Sequence, residues 1–167
     1  MKSLFIALTL FFISFLSSEN QFSWDKNRKL TWSDFKGKPV KNHSAAALTY
    51  TDIQINASLI DGQLKVEVKN YFDPKLSWTK NKESSSLLAH EQLHFDITEL
   101  YTRIIRKRLN EIISEESIRN GTINKESSKL LTEWKEFQLK YDSETKHGIL
   151  TNKQKEWEQK VQALLSN

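Results

Sequence analysis

His90, Glu91 and His94 form one His-Glu-x-x-His pentapeptide, His90-Glu91-Gln92-Leu93-His94. On a helix, residues four apart stand on one face. Both imidazoles can then offer a nitrogen to a single zinc ion, with the Glu91 carboxylate beside the metal as a candidate general base. That arrangement suits hydrolysis: zinc lowers the pKa of a bound water toward about 7 and a carboxylate takes its proton. The same five residues also read as a helix carrying two incidental histidines, because short motifs recur by chance. The surrounding chain has to separate the two readings.

A catalytic zinc site needs a third protein ligand and leaves its fourth position to water. Nearby acidic residues are poorly aimed for this. At about 100° per residue, His90 and His94 point about 40° apart, Asp96 about 140° from their mean direction and Glu99 about 160°. No Gly or Pro breaks the helix after His94, so Asp96 and Glu99 are expected in supporting hydrogen bonds or ion pairs with residues such as Arg103. The third ligand is expected from a distant segment. His147 leads, because it precedes Gly148 at a break between helical patterns; Asp142 and Glu144 are carboxylate alternatives. His43 reads as an exposed loop histidine with no ligand spacing around it.

Cysteine is absent, which removes disulfides and thiolate metal sites and leaves His, Asp and Glu as the donors for zinc. The chain has 167 residues, 38% hydrophobic and 28% charged, with a net charge of +4. These values fit one soluble domain. The lysines are interspersed with glutamates on helical segments, and no phosphate loop or zinc-finger spacing occurs, so nucleic acid is not an expected partner. Residues 1–18 read as a signal peptide: Lys2, an apolar run from Leu4 to Leu16, then small Ser17 and Ser18. The mature chain is expected from Glu19, as a single domain over 19–167, exported to the periplasm or secreted and not held in the membrane. The alternative is an uncleaved anchor. Nothing in the pattern specifies an oligomeric state.

The elements that must position the motif follow in order. Phe22 to Pro39 reads as a short strand and turn, with Trp24, Trp32 and Phe35 as core anchors. Leu48 to Leu59 alternates with period two, Asp61-Gly62 suits a tight turn, and Leu64 to Val68 alternates again, which predicts a hairpin. Leu76 to Trp78 predicts a further short strand, and Tyr71–Trp78 an edge able to pair with an extended peptide. Ser84, Ser85 and Ser86 are N-cap candidates for a helix from about Leu87 to about Ser117, stopped by Asn120-Gly121. A second helical stripe runs through Leu130, Trp134, Phe137 and Tyr141. Thr151 and Gln154 have the form of a capping box before a last helix with Trp157, Val161 and Leu164. Strands first and helices after predict an α+β fold: a small antiparallel sheet, the long motif helix and two further helices, in a zincin-like arrangement.

The segment His90–Glu99 resembles the signature of a bacterial domain-of-unknown-function family described as predicted secreted zinc-dependent proteases. Trp32, Asp34, Phe35 and Gly37 match that family's N-terminal Trp-x-Asp-Phe-x-Gly element, and Ser77-Trp78 its Ser-Trp. Tyr141, Asp142, Thr145, His147 and Gly148 match its C-terminal element, followed by Gln154 and Trp157. Leu93 departs from the pattern, where relatives often carry Gly. The resemblance implies an exported metallopeptidase-like domain with a peptide or protein substrate, and it strengthens His147 as third ligand. Glu91 is then the base and Tyr141 a candidate donor to the developing oxyanion, although Tyr141 also continues the core stripe of Trp134 and Phe137. The alternatives are a zinc-bearing envelope protein without turnover and a metal-free envelope interaction module.

Overall fold

The alternating stretch after residue 50 folds as a ten-residue antiparallel hairpin, β2 (Thr51–Ile60) and β3 (Gln63–Phe72), following a two-residue strand β1 (Ala47–Leu48). The computed structural model describes residues 21–166; the expected export signal lies outside them. Asp61 and Gly62 turn the hairpin with φ of 50° and 74°. Two consecutive positive φ values match the right-handed strand twist, which explains the Asp-Gly pair. Val66 and Val68 of β3 and Ile53 of β2 are buried, as a strand covered on one face requires.

A second small sheet pairs β1 with β4 (Trp78–Thr79), so the strand expected at Leu76–Trp78 starts two residues later and ends one residue later. The segment Tyr71–Trp78 presents no open edge at Phe72, which pairs with Thr51 on one side and bridges to Phe22 on the other. Between Phe22 and Pro39 the only helical turn is a 3-10 turn at Trp32–Asp34 in place of an expected strand.

Helix α1 (Ser85–Ile112) is the centre of the fold. Its 28 residues span about 42 Å at 1.5 Å per residue. Ser84 caps it, its hydroxyl accepting the Leu87 N–H at 3.2 Å. α1 stops short of the expected Ser117. Ser114 accepts the Ser117 N–H, and Ser117 Oγ accepts the Ser114 N–H. This reciprocal cap restarts the chain as α2 (Glu115–Arg119). α3 (Thr122–Thr145) and α4 (Thr151–Ser166) complete the element order. The expected capping box at Thr151 does not form: Thr151 is already helical, the Gln154 N–H bonds the Leu150 carbonyl, and the Gln154 side chain is used by the site below.

α1 is buried on two sides. Leu93, Ile97, Leu100, Ile105 and Leu109 join the main core with Val66, Val68, Leu130, Trp134, Trp157 and Val161. Phe95 faces a second cluster with Leu30, Phe35 and Phe72. At ~1.5–3 kcal/mol per buried large apolar side chain, these two clusters fix α1 before any metal binds. The result is an α+β domain, small antiparallel sheets followed by a long helix and further helices. Among the described residues no helix is long and apolar enough to cross a membrane.

Candidate metal centre

One turn of α1 separates His90 from His94, and their Nε2 atoms lie 3.2 Å apart. The last turns of α3 run alongside and bring in Asp142, whose Oδ1 is 3.1 Å from Nε2 of each histidine. The three atoms form a nearly equilateral triangle. Its edges compare with about 3.3–3.4 Å expected between neighbouring donors around a tetrahedral zinc with bonds of about 2.0–2.1 Å. After α3 the chain makes three residues of left-handed backbone, Lys146, His147 and Gly148, at φ 49°, 54° and 79°. This turn sets His147 Nδ1 at 3.3 Å from Asp142 Oδ1. His90, Asp142 and His147 offer one atom each within 4.8 Å of one another, a set that could hold a metal ion.

The hydrogen bonds around the triangle leave its donor atoms available to a cation. His94 Nδ1 lies 2.6 Å from Gln138 Oε1. Gln138 is oriented by its Nε2, which donates to the His94 carbonyl and to Thr98 Oγ1. His90 Nδ1 faces Gln154 Oε1 at 3.3 Å, and Gln154 is oriented by its Nε2 donating to Glu158. Each imidazole therefore donates from Nδ1, which leaves Nε2 as a lone pair in the neutral ring. Two lone pairs and a carboxylate oxygen then converge within 3.2 Å. Such a group repels itself unless a metal ion or extra protons sit among the donors.

With protons in place of a metal ion, the same three groups form ion pairs. Burial alone would lower the His94 pKa, but the hydrogen bond and charge of Asp142, with Glu91 nearby, raise it above its ordinary value. Burial alone would raise Asp142, but the hydrogen bonds and charges of His90 and His94 hold it well below the usual carboxylate range.

Glu91 is 4% exposed and lines the same cleft as His90, His94, Asp142 and His147. Among the described residues its carboxylate takes no hydrogen bond, in contrast to buried Asp96, which accepts from Trp24, Gln92 and Gln162. The cleft holds about 620 Å³, with residues 43–49 as its opposite wall. That wall includes β1. Lys80 N donates to the Ala46 carbonyl, and Ala47 pairs with Thr79. In an antiparallel ladder this alternation turns the Ala47 N–H and C=O away from β4. Among the described residues neither group finds a partner.

The remaining candidates fall outside the triangle. Glu144 accepts from Trp157 Nε1 at 2.9 Å and does not join the site. Tyr141 is fully buried, stacks on the His90 ring, and gives its hydroxyl to Gln154 Oε1 at 2.7 Å, with the His90 carbonyl at 3.2 Å. Burial, with the charges of Asp142 and Glu91, pushes its pKa far above the ordinary value of 10.0. Glu99 pairs with Arg103 at 2.7 Å, on the face away from the histidines. His43, read as a loop residue, lies in the cleft wall, with its Nδ1 accepting the Ala45 N–H at 3.1 Å. Sequence reasoning missed Gln138. The available signal was its place four residues before Asp142, on the same face of α3.

Fold and site together define an α+β domain with a His/Asp cluster competent to hold a metal ion beside a free carboxylate. A family model described as bacterial protein of unknown function (DUF922) matches residues 27–148. The chain belongs to this family. Neither curated proteins nor solved structures give a match.

Proposed function

We propose that this protein is an exported zinc-dependent peptidase of zincin-like build that hydrolyses peptide bonds in polypeptide substrates. One observation carries the reading: three metal-donor atoms in a triangle with edges of 3.1–3.2 Å share a cleft with the buried, unbonded carboxylate of Glu91. His90, His94 and Asp142 hold the zinc, which supplies a Lewis acid that acidifies water and polarises a carbonyl. Glu91 accepts the proton of the attacking water and delivers it to the leaving amine. The Gln138 and Gln154 side chains keep each imidazole in the tautomer that binds metal. Ala47 offers the substrate an N–H and a C=O, the pairing that an extended peptide uses. His147, exposed and 3.3 Å from Asp142, borders the open position. Tyr141 supports the His90 ring and takes no part in the oxyanion contact. Export rests on the signal-like residues 1–18.

Metal content and turnover test this together. The expected result is about one zinc per chain in wild type and in Glu91→Gln, with hydrolysis of a denatured casein substrate in wild type only. A metal-free wild type that retains its stability would sink the proposal.

A second reading has its own support. His147 groups with His90 and Asp142 in the set that could hold a metal ion, and with His94 added a fourth protein donor would close the coordination shell, which is the pattern of structural zinc. The protein would then be a non-catalytic envelope component. A His147→Ala variant that loses zinc as completely as Asp142→Ala favours that reading.

A further inference from the structure

The wall of the cleft opposite the histidines has a second side. Lys36, Lys38 and Lys41 lie in a stretch with no acidic residue between Asp34 and Asp52, and Lys75, Lys80 and Lys82 in one with none between Asp73 and Glu83. The fold joins the two stretches. Lys36 N donates to the Pro74 carbonyl at 2.9 Å and Gly37 N to Ser77 at 2.8 Å. β1 pairs with β4, and Lys80 holds the carbonyls of Ala46 and His43. Gly37 permits the contact, since a Cβ there would meet the Lys75 carbonyl oxygen at 2.7 Å.

All six lysines are exposed, and among the described residues none forms an ion pair with a carboxylate. Elsewhere lysines do find partners, as in Lys129–Glu133, Lys140–Glu144 and Lys153–Glu156. The formal net charge of the whole chain is +4 and would be −2 without these six lysines. A potential of one sign beside a low-dielectric cleft concentrates ligands of the opposite sign.

We propose that this lysine face selects substrate: it captures acidic polypeptide segments and leads them to β1, whose residues line the cleft. This deepens the peptidase reading and rests on it for the role of the cleft. A polypeptide fits better than an extended anionic surface, because the lysines sit on the residues that form the cleft wall: Lys80 bonds to two of them, and Lys41 is two residues from His43.

Binding is read on the exported chain carrying Glu91→Gln, by fluorescence anisotropy of a labelled peptide of alternating Glu and Ala, with a Lys-Ala peptide as counterpart. Since no turnover is needed, an inert lysine face and an inactive cleft give different results. The expected outcome is binding of the Glu-Ala peptide alone. That binding weakens about tenfold or more when salt rises toward about 150 mM, and by a similar factor in Lys38→Glu/Lys75→Glu/Lys82→Glu. A Lys129→Glu/Lys155→Glu control, on α3 and α4, should bind as the parent does. Unchanged melting temperatures show that each variant is folded. Equal affinity for both peptides, or indifference to the triple reversal, overturns the proposal. So does lysine-dependent binding to phosphatidylglycerol vesicles with no binding of the Glu-Ala peptide, which would mark the face as a membrane contact.

Discussion

Gly148 lies against His90 so closely that a Cβ on Gly148 would sit 2.9 Å from the His90 Cβ and 3.2 Å from its Nδ1. Its φ of 79° is also one that L side chains rarely adopt. Gly148→Ala is therefore expected to cost about 1–3 kcal/mol of stability through backbone strain. It should also tilt the His90 ring out of the triangle. Thermal unfolding reads the first effect and zinc retention against a chelator the second. An alanine variant that keeps both would mean that the turn adjusts without moving His90.

The two glutamines that orient the imidazoles can be tested by removing their acceptor atoms. Gln138→Leu and Gln154→Leu should each weaken zinc affinity about 10–100-fold while leaving all three donor atoms in place. Competition with a fluorescent zinc chelator measures this directly. No change in either variant would show that the tautomers are set by something else.

Asp142 and His147 are separable by their burial. His147 is 76% exposed at its side chain and Asp142 25%. Asp142→Asn is expected to release zinc under dialysis, whereas His147→Ala retains most of it. The reverse ranking would transfer the third ligand to His147.

Tyr141→Phe removes a hydroxyl that donates to Gln154 inside the core. The expected cost is about 0.5–1.5 kcal/mol of stability, with less than about a tenfold change in kcat. Loss of an oxyanion donor would instead lower kcat by about 10²–10³, so the size of the effect assigns the role.

Stability should depend on pH in opposite ways with and without metal. In the metal-free protein, His94 is raised above its ordinary 6.5. Its contribution is full below that value and disappears as pH rises through the folded-state pKa. Asp142 is lowered from 3.8. Its contribution is full above that value and disappears as pH falls through the folded-state pKa. Metal-free stability from this pair is thus greatest between 3.8 and 6.5. Zinc needs deprotonated imidazoles, so its added stabilisation should grow from about pH 5 to about pH 8. Melting curves of both forms across that range check the sign.

The hairpin and the motif helix were legible because each has a local signature: Asp61-Gly62 between alternating stretches, and apolar residues at three- and four-residue steps after Ser84. Helical projection likewise turned Glu99 toward Arg103, where it is found. Asp142 could be named only as an alternative. Which of two groups on one segment reaches a metal depends on the last turn of α3 and on three left-handed residues, and neither is local to the motif. The break at Ser114 was hidden inside an uninterrupted helical period, since a capping pair of serines leaves that period intact. Gln154 was misread for the opposite reason: a real capping pattern was present, but the buried Tyr141 hydroxyl and the His90 ring compete for the same side chain.

The two halves of the centre are anchored very differently. His90 and His94 sit on a helix clamped between two apolar clusters. Asp142 and His147 sit where α3 gives way to strained backbone held by a few hydrogen bonds, among them His147 N to the Asp142 carbonyl and Gly148 N to Thr145 Oγ1. Fraying of that short stretch would open half of the coordination sphere while α1 stays folded. On the zinc reading, metal exchange would be a local event governed by residues 142–148 and would not require the folded molecule to unfold.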